Sequence, residues 1–202
     1  MKFYAGIGSR TTPPEILVQC TRIACELEKL GFTLRSGGAE GADKAFAAGV
    51  KDPYNKVILR PKDSTREAED LAETIHPAWH QCNSYARQLH GRNCQIILGE
   101  RLDQPSEFVL AYTLDEEQGG TSLGIRLARL RGIPVFNLAD SQAAGVLQEF
   151  LSAPAEPMPE CSRNDSCEPG HYCSTCGAHL FTNGTSPDPL GGPCSTCLKE
   201  QT

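Results

Sequence analysis

The sequence predicts a doubly wound α/β domain with a mostly parallel sheet, followed by a small cysteine-rich tail, and three observations carry that reading. Short apolar runs alternate with stretches whose apolar residues recur at three- and four-residue spacing, and the links between them are short. That β-α-β-α-β alternation calls for parallel strands joined by right-handed crossovers. Glycine-rich turns follow the first, second and fourth apolar runs. Six of the ten cysteines crowd between Cys161 and Cys197, after a stretch with three prolines in residues 152–160. The expected organisation is therefore a sheet domain over residues 1–151, a linker over 152–160 and a tail over 161–202.

Taken in order, residues 3–7 read as a buried strand that ends in Gly8-Ser9-Arg10. Thr12 is the expected helix cap and Pro13 the first-turn residue of a helix over 15–30, whose apolar face is Ile16, Leu17, Cys20, Ile23, Ala24, Leu27 and Leu30. Gly31 closes it, and a second strand over 32–34 runs into Ser36-Gly37-Gly38-Ala39-Glu40-Gly41-Ala42-Asp43. A short helix over 44–49 precedes a third strand over 57–59. Residues 64–104 are polar and helical in character, with expected breaks at His76-Pro77 and at Gly91. A fourth strand over 108–112 leads through Asp115-Glu116-Glu117 to Gly119-Gly120-Thr121 and a helix reaching Arg131. A fifth strand over 135–138 and a last helix over 142–151 complete the domain.

In an open parallel sheet the loops that leave the carboxyl ends of the strands share one edge, so the three glycine turns are expected to converge. Glycines there remove Cβ atoms that would hold a ligand off the backbone, and a helix start offers unpaired N–H groups with partial positive charge. Phosphate is the expected occupant, held by Gly8, Ser9, Arg10, Ser36, Gly37, Gly38, Gly41, Asp43, Gly119, Gly120 and Thr121. Arg92, a planar fork of donors, is the expected charged phosphate ligand, with Asn93 beside it. Asp43 reads as a first-turn helix acid that could also orient loop amides or accept a ribose hydroxyl. Asp115, Glu116 and Glu117 read first as a solvated loop; if a reaction is catalysed, they are the candidates to act on a leaving base or an attacking water. His76, His80 and His90 fall in an expected lid segment where Trp79 or Tyr85 could stack on a base.

Composition narrows the function further. A formal charge of −6 argues against loose electrostatic coating of nucleic acid and leaves room only for a focused contact such as a local basic groove. No apolar run reaches membrane-spanning length and no leader pattern opens the chain, so a cytoplasmic protein with no membrane partner is expected.

With these motifs in place the chain resembles the Rossmann-like domain of the DNA-processing protein A (DprA/Smf) family, within the superfamily that includes the "lonely guy" phosphoribohydrolases. Gly8-Ser9-Arg10 resembles the family's glycine-serine-arginine turn. Ser36-Gly37-Gly38-Ala39-Glu40-Gly41-Ala42-Asp43 resembles its second-strand loop, Arg92-Asn93 with Ile96 and Gly99 its RNRxIxxG helix, and Gly120-Thr121-Ser122-Leu123 its GSGSLxTARLA segment. The motifs occur in the family's order over residues 2–138. The resemblance implies a phosphate-binding cradle that takes single-stranded DNA in DprA-like proteins and small nucleotides in other superfamily members. The "lonely guy" signature supplies a glutamate for N-glycosidic cleavage, and Gln118-Gly119-Gly120-Thr121 departs from it.

In the tail, Cys173-x-x-Cys176 and Cys194-x-x-Cys197, separated by seventeen residues, form the pattern of a zinc ribbon. Four thiolates fit tetrahedral zinc, and so short a segment needs a metal to fold. With all four positions filled by cysteine, the zinc is expected to be structural. Cys161, Cys167 and His171 are left as free thiols or packing residues. Three functions follow from the sequence: a sensor or sequestering protein for a small nucleotide, which leads; a DprA-like single-stranded DNA binder; and a nucleoside-phosphate N-glycosidase. Assembly as a homo-oligomer is open.

Overall fold

The computed structural model describes residues 1–116 and 119–152. Five runs extend as strands: β1 (Lys2–Gly8), β2 (Phe32–Ser36), β3 (Lys56–Ile58), β4 (Phe108–Tyr112) and β5 (Val135–Asn137). Every neighbouring pair is parallel, in the order β3-β2-β1-β4-β5. The registers place Tyr4 beside Leu34 and Phe108, and Leu110 beside Phe136. A sheet covered on both faces needs apolar residues at nearly every strand position, which is why these strands read as continuous apolar runs rather than alternating ones.

Six helices cover the sheet: α1 (Pro14–Lys29), α2 (Ala42–Gly49), α3 (Arg66–Ile75), α4 (Ser84–Leu98), α5 (Gly119–Leu130) and α6 (Ala143–Ser152). Because strand side chains alternate, Tyr4, Leu34, Phe108, Leu110 and Tyr112 join Cys20, Leu27, Phe46 and Leu147 in the core beneath α1, α2 and α6. Ala5, Ile7, Val109 and Ala111 join Cys94, Ile97, Leu123 and Leu127 beneath α3, α4 and α5. Each fully buried leucine contributes about 1.5–3 kcal/mol on removal from water. Among the described residues no helix is long and apolar enough to cross a membrane.

The doubly wound α/β sheet is as expected, but several local readings are corrected. Thr12 does not cap α1: Pro13 occupies the cap position, and the Thr12 hydroxyl instead donates to the Ser9 carbonyl at 2.6 Å. Gly91 does not interrupt the helix after Pro77. It lies inside α4, where a Cβ would collide with the Ser64 hydroxyl and crowd the Glu69 backbone, so glycine there lets α3 and its entry loop pack closely. Gly119 and Gly120 are not a loop before α5 but its first residues. The chain winds outward from β1 through β2 to β3, then returns to β4 on the other side of β1. That reversal splays the loops after β1 and β4 apart and opens a crevice at their carboxyl ends.

Candidate functional site

The crevice is a cleft of about 420 Å³ walled by Gly8, Ser9 and Arg10 after β1, Ala39 and Asp43 at α2, His90, Arg92 and Asn93 on α4, and Gly119, Gly120 and Thr121 at the start of α5. Four stretches distant in sequence thus converge, and the three that follow strands do so as their loop positions predict. The first turn of a helix leaves its amides without intrahelical partners, so α5 directs donors and the positive end of its dipole at the cleft.

Asp43 holds the near wall together. Its Oδ1 accepts the Gly8 N–H at 2.9 Å and its Oδ2 the Ala39 N–H at 3.5 Å, so one carboxylate ties the loop after β1 to the loop after β2. It is 4% exposed, and its Oδ2 stands 4.0 Å from Nη1 of Arg92, itself buried. Burial pushes the Asp43 carboxyl up to about 6, against the pull of Arg92 and the amides of Gly8, Ala39 and Gly37. Burial also draws the Arg92 guanidinium below its ordinary value, with Asp43 opposing that shift. Arg92 Nε is buried without a hydrogen-bond partner. The pair is therefore only partly satisfied by its own members, and an anion in the cleft would find a guanidinium with donor capacity to spare.

A carboxyl whose pKa rises on folding binds its proton more tightly in the folded chain, so its ionisation opposes folding. The Asp43 contribution is fully present below its ordinary value of 3.8 and is lost as pH rises through about 6. Asp43→Asn should flatten that limb of the stability curve whatever it does to the absolute melting temperature. Melting scans from about pH 3 to 8 check this, and a limb that persists in the variant would assign the proton to another group.

The glycines divide by role. A Cβ on Gly37 would overlap Nη1 of Arg92, so this residue is glycine to seat the guanidinium. Gly41, at φ +86°, leaves room for the Ser9 carbonyl and the Arg10 backbone, and a Cβ on Gly8 would press on Ala42. Gly38, at φ +63°, needs glycine for its conformation and faces Ile58. These four serve contacts within the protein. Gly119, at φ +89°, has open space around its Cβ position.

Other expected ligands take different places. Ser36 does not reach the cleft: it is fully buried and its hydroxyl donates to the Gly6 carbonyl at 2.7 Å. Gly37, Gly38 and Gly41 are likewise not among the residues that line the cleft. Ser9 Oγ accepts the Thr11 N–H at 3.1 Å and shares a 2.9 Å hydrogen bond with the Thr11 hydroxyl, while Arg10 is exposed at the rim. Asn93 Nδ2 donates to the Gly120 carbonyl at 3.0 Å, which locks α4 to the start of α5. Sequence reasoning missed this clamp, because nothing in either motif alone shows that they touch.

Asp115 and Glu116, the two acidic candidates among the described residues, are not on the cleft. Glu116 bonds Arg129 at 2.7 Å and the Asn137 amide at 2.9 Å. Burial pushes its carboxyl up, but those bonds and the Arg129 charge outweigh it and hold the carboxyl below its ordinary value. Asp115 is exposed and its carbonyl accepts from the Thr113 and Ser122 hydroxyls. Glu117 lies outside the described residues. Among the described residues, Asp43 is the one carboxylate on the cleft wall, and it is committed to loop amides and Arg92. Trp79 is buried against His76 and His90 and is not available to a base, whereas Tyr85, one residue before cleft-lining Ala86, is 59% exposed. Cys173, Cys176, Cys194 and Cys197, with the rest of the expected tail, also lie outside the described residues.

No family model matches the chain, and no curated protein matches it. Among solved structures the chain is similar to DNA processing protein A from Helicobacter pylori, a protein described by its single-stranded DNA binding mode. The two are 22% identical over 76% of this chain and 74% of that one, with a TM-score of 0.47. The fold assignment here rests on the strand order and the parallel registers.

Proposed function

We propose that the cleft is a phosphate cradle for single-stranded DNA, gripping one or two phosphodiesters through the α5 amides, Arg92 and the rim residue Arg10. The observation that carries this is the buried Arg92 guanidinium, with Nε unpartnered, lining the same cleft as the amino end of α5. The reading reverses the order expected from sequence, where a free nucleotide leads. A mononucleotide site usually encloses the base between apolar or aromatic walls. Here the apolar lining is Ile7, Ala39, Ala86 and Leu89, and the one tryptophan is turned into the core. The exposed Tyr85 ring, one residue before cleft-lining Ala86, is the candidate to stack a base left outside the cleft, as aromatic residues of single-strand binders do. DNA rather than RNA follows from the motif resemblance.

A free nucleotide is the second reading, favoured by the net charge of −6, which opposes a long polyanion. A ligand panel separates the two, and the salt slope counts the phosphates held. Each phosphate contact to a single strand contributes a log–log slope of about −0.7, so a grip on one or two phosphates gives about −0.7 to −1.4. Labelled oligothymidylate, the matching RNA and a panel of nucleotides should be titrated across salt, with Arg10→Ala alongside. The expected result is oligonucleotide binding with that shallow slope, weakened in Arg10→Ala and stronger than any nucleotide. Saturable nucleotide binding with no oligonucleotide binding would overturn it.

A further inference from the structure

Three ligand-type side chains meet where the connection between α3 and α4 packs against α4. His76 follows directly on α3, where Pro77 prevents the helix from continuing. A single 3₁₀ turn, Trp79–Gln81, then brings the chain back to Cys82, and Asn83 caps α4 by accepting the Ala86 N–H at 2.9 Å. His90 lies two turns along α4 on the face toward α3. One donor atom from each of His76, Cys82 and His90 lies within 4.8 Å of the other two. Cys82 Sγ is 3.9 Å from His76 Nε2 and 4.0 Å from its Nδ1, and the two imidazole rings are 4.4 Å apart between centroids.

Packing accounts for Trp79, which closes the cluster on one side, but it leaves His90 Nδ1 buried with no hydrogen-bond partner. We infer that His76, Cys82 and His90 form a three-ligand site for one divalent transition-metal ion of the zinc type, with water in the fourth position. Two imidazoles and a thiolate, with no carboxylate, select a borderline-soft ion over magnesium or calcium. Zinc bonds of about 2.0–2.3 Å at tetrahedral angles hold neighbouring ligand atoms about 3.3–3.6 Å apart, so closure needs side-chain shifts of about 1 Å.

Loading has two identifiable costs. His76 Nδ1 accepts the Ala78 N–H at 3.1 Å, and that bond is lost whichever nitrogen binds: a metal at Nδ1 takes the accepting lone pair, and a metal at Nε2 moves the imidazole proton to Nδ1, which can then no longer accept. Arg126 and Arg92 act electrostatically on these histidines and oppose a cation. The Cys82 thiol loses its proton to solvent on binding, and its negative charge offsets part of that repulsion. Because His90 lines the cleft two residues before Arg92, the ion would fix the wall that carries the phosphate-binding guanidinium.

The cysteine-rich tail would mask this ion, so the test uses the full chain with Cys161, Cys167, Cys173, Cys176, Cys194 and Cys197 replaced by serine. Cobalt(II) is the probe, read by its visible ligand-field bands and its thiolate charge-transfer band, with zinc as competitor. The expected result is one cobalt per chain, displaced by zinc, with binding at least tenfold weaker in Cys82→Ser, which also loses the charge-transfer band, and in His76→Ala. His80→Ala, an exposed neighbour on the same turn, should bind as its parent. Circular dichroism reports whether each variant folds, and the parent titration decides the matter if one does not. Absence of saturable cobalt binding in the folded parent, or undiminished binding in folded Cys82→Ser, would overturn the inference.

Discussion

Arg92→Ala is expected to lower the stability of the sheet domain by about 3 kcal/mol, because it leaves Asp43 buried without its counter-charge. It should also weaken phosphate-ligand binding about tenfold to a hundredfold, the worth of a hydrogen bond to a charged group. The stability figure sits at the low end for an opened buried ion pair for two reasons. The pair is only just in contact at 4.0 Å, and Asp43 keeps the Gly8 amide at 2.9 Å. From sequence alone Arg92 reads as a ligand whose loss should spare stability, and its burial beside Asp43 corrects that. Asp43→Asn in the Arg92→Ala background should restore about 1 kcal/mol or more, since it removes the orphaned charge. Denaturant melts of the two single variants and the double variant give the coupling, and additive effects would show that the two residues do not sense each other. Gly37→Ala approaches the same point from the backbone. Its new Cβ occupies the place of Nη1, so binding should fall although Arg92 is retained.

Removing the tail metal is the second large effect expected. The four cysteines of the paired CxxC motifs lie outside the described residues, and we propose that they hold one structural zinc ion. Such sites bind with about 10–16 kcal/mol of apparent free energy near neutral pH, and that binding energy is folding energy for a segment too short to build a core. Cys173→Ser with Cys176→Ser should therefore unfold the tail and release one zinc ion per chain. The melting transition of the sheet domain should stay where it is, because among the described residues both cores of that domain are already built from residues between Tyr4 and Leu151. Metal analysis and a calorimetric scan read the two consequences separately. A sheet domain that melts together with the tail would refute the independence of the two units. Retention of all metal in the doubly substituted chain would move the ligands elsewhere.

The fold was legible because its signals are local. A parallel strand covered on both faces must be apolar along its whole length, and α1 must repeat its apolar residues every three or four positions, so each element announces itself within a dozen residues. The convergence of the loops was legible too, since the carboxyl ends of parallel strands share one edge in any such sheet. Where elements begin was less so. Gly91 and Gly119-Gly120 look like breaks by local propensity, yet Gly91 sits inside α4, where close packing of α3 outweighs the roughly 1 kcal/mol that an interior glycine costs a helix, and Gly119-Gly120 open α5 beside Asn93.

What the sequence by itself determined is therefore the order of strands and helices, the single edge on which the glycine turns gather, and the presence of Arg92 and Asp43 among the candidates. Only the tertiary structure decided what those residues do. It made Gly37 the seat of a guanidinium, Asp43 the tie between two loops, Asn93 a clamp on α5 and Trp79 a wall for two histidines. It also took Ser36 and Glu116 out of the site by giving their polar atoms to Gly6, Asn137 and Arg129. The physical reason is range. Strand and helix formation is governed by neighbours a few residues apart, whereas a side chain's role is set by which desolvated donors and acceptors it meets, and here those partners come from turns brought together only when the sheet has formed.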